Sequence, residues 1–360
     1  MKKLFSKRSR RVERESAPTL TTYQRQALAA QGLPPGEISY ETYAAMERDS
    51  MVQTALTIKR LAVVAADYTI ESANSSPEAS RNAEFVAESF ELMDGSPLTI
   101  LNQAMGAFAS GASIQELVFE PTRTHAKLVA VRPKDPSLFG FEFDEFGRLE
   151  HLSLRLPGTN ERRIPRSKFA IYFNRASYRH PKGQSDLDAA HRHWLAKQAL
   201  LNAWKLHLER YASPTVLAKY QRGLPQAEQS SILSALETLH QNTAIVFPNE
   251  IELSTLGGQR DAISGFLDAM EFHNREMARS ILGQTLTTDE GRRVGSLALG
   301  KVHLQVMLLQ IAAIRKELAD AVMTEQIIRP MIELNFGPGN IPRFRFEATR
   351  PEAFITGIVD

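Results

Sequence analysis

Residues Ile281 to Gly337, ILGQTLTTDEGRRVGSLALGKVHLQVMLLQIAAIRKELADAVMTEQIIRPMIELNFG, constrain this chain more than any other stretch. The pattern predicts a helix ending near Gln284, a polar Gly-containing loop (TLTTDEGRRVGS), and then about forty helical residues. Two apolar stripes run side by side along that last helix. One is Leu299, Val302, Val306, Leu309 and Ala313; the other is Leu304, Leu308, Ile311, Leu318 and Val322. A surface helix needs one apolar stripe, so a helix with two is expected to be packed on more than one side. At 1.5 Å per residue the rod would be roughly 50–60 Å long, near the diameter of a domain. Few elements of one chain can bury such a rod, whereas copies of the same chain can.

The 360 residues set an expectation of two or three domains, and 43% hydrophobic with 23% charged residues is ordinary globular composition. The absence of cysteine excludes disulfides, thiolate metal sites and cysteine nucleophiles. The basic N-terminus MKKLFSKRSRRVERES lacks the apolar core of a signal peptide, and no run is long enough for a membrane span. Charge is uneven. Residues 1–16 carry Lys2, Lys3, Lys7, Arg8, Arg10, Arg11 and Arg14 against Glu13 and Glu15, a net of +5, so the rest sums to −3 within an overall +2. Such an arm reads as a solvated tail or as a contact for nucleic acid or an acidic partner. The body does not read as a basic DNA clamp, which requires a surplus of Lys and Arg.

Along the chain, residues 17–40 read as an extended arm broken at GLPPG. A helical segment is expected over 41–66 with Met51, Ala55, Ile58 and Ala62 on one face, then helices over 81–94 and from Pro97 to Ser110, ended by Gly111. Strand alternation follows in SIQELVFE, LVAVRP and LFGFEFDEFGRLEHLSLRL, where DEFG supplies a turn and Leu152, Leu154 and Leu156 define one buried face of a hairpin. KFAIYF adds a strand, so 41–180 reads as α+β. After RHPKGQS, Ser185 or Asp186 can cap a long helix to about residue 212. Its Leu187, Ala190, Trp194, Lys197, Leu201, Trp204, Leu208 and Tyr211 recur at spacings of three and four, a heptad seam interrupted by Lys197. Residues 213–257 read as a small β-α-β-β module, TVLAKY, PQAEQSSILSALETLH, TAIVF and IELSTL. A second long helix over 260–284 places Ile263, Phe266, Met270, Met277 and Ile281 on one face. The strand-like RFRFEA closes the pattern.

No catalytic constellation assembles from this sequence. His191 and His193 stand two apart on a helix and point in different directions, and with His207 and His273 they read as surface or interface histidines. HExxH, GxSxG and the phosphate-loop GxxxxGK[ST] are absent. The carboxylate pairs Asp186/Asp188 and Asp289/Glu290 sit at helix starts or loops, where caps and solvated turns are the ordinary reading. No cofactor and no metal is expected.

The segments RHPKGQSDLDAAHRHWLAKQALLNAWKLHLERYASPTVLAKY (179–220) and ILGQTLTTDEGRRVGSLALGKVH (281–303), with RPMIELNFG (329–337), resemble the portal proteins of tailed bacteriophages, in the Mu-like branch. FASGASIQELVFE (108–120) and the helix at 51–66 match more weakly, and the likeness covers most of 45–340. The resemblance implies an α+β, mainly α, portal-type fold forming a ring, usually of twelve copies, at one capsid vertex. It implies a wing over 41–183, stem helices at 184–212 and 258–284, a clip at 213–257, and a tunnel loop at 285–296. The long wing-spanning helix would then be 297–340, with 341–360 a strand and tail and the crown short or absent. Implied partners are double-stranded DNA, bound without sequence preference, the terminase large subunit, the major capsid protein and scaffold, and a neck adaptor. The implied location is the virion, with no membrane contact.

On that reading Thr287, Thr288, Asp289, Glu290, Arg292 and Arg293 line the channel, and the loop charges cancel, as a conduit that must not grip a polyanion requires. Glu228, Glu237, Glu250 and Glu252 are the expected clip contacts, and Trp194, Leu201, Trp204 and Leu208 the stem packing. Two further readings stand beside it: a DNA-binding protein acting through the basic arm, and a hydrolase with dispersed ligands at His191 or His193.

Overall fold

The computed structural model describes residues 38–154, 160–212, 217–220, 223, 225–239, 245–248, 259–284 and 297–347. The chain divides into two compact units. One comprises the described residues up to Ala190 and from Ala278 onward; the other is His191–Met277.

The first unit opens with α1 (Tyr40–Met46) and α2 (Ser50–Val64), where one continuous helical segment was expected. The break falls at Asp49, whose carboxylate accepts from the Met51 N–H at 2.9 Å and starts a new helix. The buried face of α2 is Val52, Ala55, Leu56 and Val63; of the expected line Met51, Ala55, Ile58 and Ala62 only Ala55 is fully buried and the other three are half-buried. After β1 (Tyr68–Glu71) come α3 (Pro77–Leu92) and α4 (Pro97–Ala104), each opened by a Ser-Pro pair. The hydroxyls of Ser76 and Ser96 accept from the N–H groups of Ala79 and Thr99, and proline occupies a position whose N–H would have no helical partner. Gly106 splits the expected 97–110 helix, leaving α5 (Ala107–Ser110), and Gly111 at φ 83° ends it.

Two antiparallel sheets follow. β2 (Ala112–Pro121) lies between β3 (Ala126–Lys134) and β7 (Phe169–Phe173). In the second sheet β5 (Leu149–Leu154) lies between β4 (Phe139–Phe143) and β6 (Arg162–Pro165). The DEFG turn forms because Asp144 accepts from the N–H groups of Phe146 and Arg148 while Gly147 adopts φ 78°. The expected hairpin forms, β4 pairing antiparallel with β5, but its burial is not strictly one-faced: Leu152 and its neighbour Ser153 are both buried and Leu154 only half-buried. β6 pairs with the far edge of β5, making β5 the central strand of this sheet; Leu156 lies outside the described residues. Phe139 meets Phe169 and Phe141 meets Phe173 edge-on, joining the two sheets around Ile114, Leu152 and Ile171.

The rod is present but is not one α-helix reaching residue 340. It runs as α9 (Leu297–Glu317), an eleven-residue π-helical stretch (Leu318–Ile328), and α10 (Arg329–Phe336). Hydrogen bonds five residues apart, such as Arg329 N–H to Thr324 O, widen the turn. The buried pairs Leu318/Ala319, Val322/Met323, Ile327/Ile328 and Met331/Ile332 accordingly recur at four to five residues, not at 3.6. The π stretch gives way to α-helix beside Pro330, which cannot donate and would crowd an α-helical carbonyl four residues back.

Both outer strands of the β3-β2-β7 sheet are closed by amides from this rod. Gln326 accepts from Ile171 N–H at 2.8 Å and donates to Ile171 O at 2.9 Å, on β7. Asn335 does the same for Ala126 on β3, at 2.7 and 2.9 Å. β10 (Arg343–Phe346) pairs antiparallel with β1, and Phe344 N–H reaches Thr324 Oγ1 at 3.1 Å.

The second unit holds α6 (His191–Ala212), β8 (Leu217–Tyr220), α7 (Gln226–Leu239), β9 (Ile245–Pro248) and most of α8 (Gln259–Leu282). β8 and β9 pair in parallel, so β8-α7-β9 is a crossover unit; the IELSTL segment lies outside the described residues.

Candidate ring and channel surfaces

The two stripes of the rod part company in the folded chain. Ile311, Leu318 and Val322 are buried and Leu308 half-buried, whereas Val306, Leu309 and Ala313 are exposed, Leu309 at 72%. Leu299, Val302 and Leu304 have no described side chains. Beside the outward stripe, an open groove of about 600 Å³ runs between α9 and the end of β10, lined by Leu308, Leu309, Ile311, Ala312 and Phe346, with Arg315 among its polar members. Val306 and Leu309 thus leave aliphatic surface in water on one line of the helix.

The seam of α6 has the same character within the second unit. Trp194, Leu201 and Trp204 are half-buried and Leu208 is 41% exposed. Trp204 Nε1 is buried without a hydrogen-bond partner among the described residues. Lys197, read as an interruption, is itself buried. The helix also starts at His191, later than Ser185 or Asp186. Those two residues serve the preceding loop instead: Ser185 Oγ donates to Ala109 O at 2.5 Å. Asp186 is held by Lys59 Nζ at 2.6 Å, Arg175 Nη2 at 2.9 Å and Asn174 Nδ2 at 3.1 Å. That loop comes so close to the end of α5 that a Cβ on Gly183 would lie 2.1 Å from Gly111 O.

α6 and α8 touch through histidines. His193 Nδ1 lies 3.1 Å from His273 Nδ1, and Arg192 Nε donates to His193 Nε2 at 3.2 Å. With Nε2 accepting, the His193 proton sits on Nδ1 and is donated to His273. Burial, then the charges of Arg192 and His273, hold the His193 imidazole below its ordinary pKa, against the opposite pull of Glu276. Among the described residues no three His, Cys, Asp or Glu side chains gather as metal ligands, and no helix is long and apolar enough to cross a membrane.

Of the expected docking acids, Glu228 is exposed in the first turn of α7, Glu237 lies in α7 with no described side chain, and Glu250 and Glu252 lie outside the described residues. So do the channel residues Thr287, Thr288, Asp289, Glu290, Arg292 and Arg293 and the arm residues Lys2, Lys3, Lys7, Arg8, Arg10 and Arg11. One surface escaped the sequence reading. Residues 162–185 hold seven Lys and Arg and no Asp or Glu, a run that a windowed charge count exposes and a whole-chain sum hides.

Comparison with known proteins gives a consistent family. The chain is 26% identical over 341 residues to the Mu-like prophage FluMu protein gp29 of Haemophilus influenzae, an alignment covering 87% of this chain and 61% of that protein. The chain thus spans about three-fifths of the length of that relative. Its fold is similar to chains in the virion of a native gene transfer agent particle (TM-score 0.61, 12% identity, 94% of this chain and 93% of the other). It is also similar to chains in the neck of the empty particle (TM-score 0.60, 12% identity, 92% and 91%). Residues 40–355 match the family described as the portal protein of Mu bacteriophage, and the chain belongs to that portal family.

Proposed function

We propose that copies of this chain close into a ring, usually of twelve, at one capsid vertex, through which double-stranded DNA is packaged and later ejected. The observation carrying this reading is the outward apolar stripe Val306, Leu309 and Ala313 on a rod whose other stripe already fills the core. A chain that leaves such a line in water gains by burying it against a neighbour, at about 1.5–3 kcal/mol per fully covered aliphatic side chain. Family membership and the likeness to particle-neck chains supply the context. In this arrangement α6 and α8 form the stem, 213–257 the clip, and 285–296 the loop toward the channel. The clip would meet the terminase large subunit during packaging and a neck adaptor afterwards, with Glu228 and Glu237 among the contacts. The wing would adjoin capsid protein and scaffold. The role is structural; translocation energy would come from the terminase.

Native mass measurement and particle images of the purified chain test the proposal. A closed ring with a central hole is the expected result. A monomer or dimer that binds DNA only while residues 1–16 are present would instead favour the arm-mediated reading.

A further inference from the structure

A whole-chain charge of +2 conceals a strongly basic surface on the first unit. Arg162, Arg163, Arg166, Lys168, Arg175, Arg179 and Lys182 fall within 24 residues that contain no acid. Removing this +7 from the −3 of residues 17–360 leaves −10 for the remainder of the body. Segregation of charge on that scale creates a local field that attracts anions although the molecule is nearly neutral.

Of this charge Arg166 lines a concavity, which Arg148 from another turn also lines, and Arg179 follows its lining residue Tyr178 in the chain. Arg163 is paired with Glu142 at 2.9 Å and Arg175 with Asp186, and Lys182 is likewise engaged, so these three are occupied structurally. Arg166 and Lys168 sit on a short 3-10 turn, and Arg179 and Lys182 on the loop before Gly183. Opposite them stands the β4–β5 turn, whose Asp144 carboxylate is spent on the backbone of its own turn; Glu145 adds one acid at its tip. Between loop and turn lies a groove of about 560 Å³ lined by Phe146, Arg148, Arg166, Phe173, Ser177 and Tyr178. Tyr178 is 63% exposed, and the Arg179 guanidinium lies 5.5 Å from its ring centre while Nε donates to its hydroxyl at 2.7 Å.

We infer that this groove binds the phosphodiester backbone of a nucleic acid, with Arg166 and Arg179 on phosphates and Tyr178 against a sugar or an unstacked base. Guanidinium groups match phosphate oxygens in geometry as well as charge. An exposed aromatic face backed by arginine is a stacking platform, which an acidic polypeptide has no use for. The site uses no residue of the 285–296 segment and does not depend on ring formation.

The test uses the full chain with fluorescent duplex and single-stranded DNA of equal length, titrated by anisotropy at several salt concentrations. Arg166→Gln with Arg179→Gln is expected to weaken both forms about ten-fold at low salt and to reduce the salt slope by about 1–2. Tyr178→Ala is expected to weaken the single strand selectively. Neutralising Lys2, Lys3 and Lys7 separates the arm's contribution. Matching thermal melts establish that the variants fold, and Arg166→Lys with Arg179→Lys, which keeps the charge, should recover much of the binding. Unchanged affinity and slope in the glutamine variant overturn the inference. So does poly-glutamate competing as well as DNA, which would make the groove a dock for an acidic protein. Particle images of the same variants keep the two proposals apart: intact rings with lost affinity support the groove, whereas full affinity without rings sinks only the ring.

Discussion

Arg315 caps a helix from a different part of the chain: its Nε donates to Val63 O at 2.8 Å and its Nη2 to Ala62 O at 2.7 Å. The last carbonyls of α2 have no partner within their own helix, and the end of a helix carries partial negative charge. A buried cation with two forked donors answers both needs and fastens α9 of the rod to α2.

Arg315→Met should therefore lower stability by about 2–3 kcal/mol, since it strands buried carbonyls. Arg315→Lys should recover only part, because an ammonium cannot reproduce the fork. Urea unfolding followed by circular dichroism measures both, and equal stability of all three proteins would contradict the capping role.

Asp186 is the acceptor for Lys59, Arg175 and Asn174, with its side chain only 1% exposed. Asp186→Ala should cost about 3–5 kcal/mol by leaving two cations facing each other without their anion. Arg175 is also held at φ 48°, which few side chains adopt willingly. The expected signature is early proteolysis near residues 174–190. A melting temperature within a degree of the parent would refute it.

His193 titrates below its ordinary value, so its neutral form is favoured when folded. The unfolded chain takes up the proton first, near pH 6.5, and stability of the second unit should fall as pH drops through that value toward the depressed folded one. Protonation would place the second N–H on Nε2, where it opposes the Arg192 donor, while the Nδ1–H given to His273 stays in place. Melts at pH 7.5 and 5.5 check this: His193→Gln should flatten the difference, and a parent protein equally stable at both pH values would exclude it.

For assembly, Leu309→Glu should leave the chain folded but shift it from rings to small species, because Leu309 is exposed and its burial is expected only between copies. Trp204→Asp should do the same through the α6 seam. Native mass spectra showing intact rings in either variant would remove that surface from the interface.

Replacing Arg292 and Arg293 with alanine should spare rings but change retention of packaged DNA, with the effect shrinking at high salt. Lost rings would assign these arginines to subunit contacts instead, and unchanged retention at low salt would end their DNA role.

Local chemistry was readable and non-local partnership was not. The Asp144–Gly147 turn, the helix start at Pro97 and the Gly111 stop each act within a few residues, where spacing is informative; the start at Pro77 was placed four residues late. The RFRFEA strand was visible, but its pairing with Tyr68–Glu71 spans most of the chain and leaves no periodic trace. β6 was missed because RRIP is short, charged and ends in proline. The π stretch was read as α because two stripes at 3.6 also fit a run so rich in apolar residues; only the paired spacing of 318/319, 322/323 and 327/328 distinguishes them. As for the site, the outward stripe was legible as a surplus of apolar faces. The basic groove was masked by acids elsewhere that cancel it in the sum.

The amides of Gln326 and Asn335 have a consequence for how copies of this chain can meet. An open strand edge invites any passing strand to continue the sheet, with no regard for shape or number. Here the outer N–H and C=O of Ile171 on one side and of Ala126 on the other are already spoken for by side chains. Growth of the β3-β2-β7 sheet into an open-ended ribbon is blocked at those two points. Contact through helical faces, by contrast, has a geometry that can fix an angle and therefore close a circle.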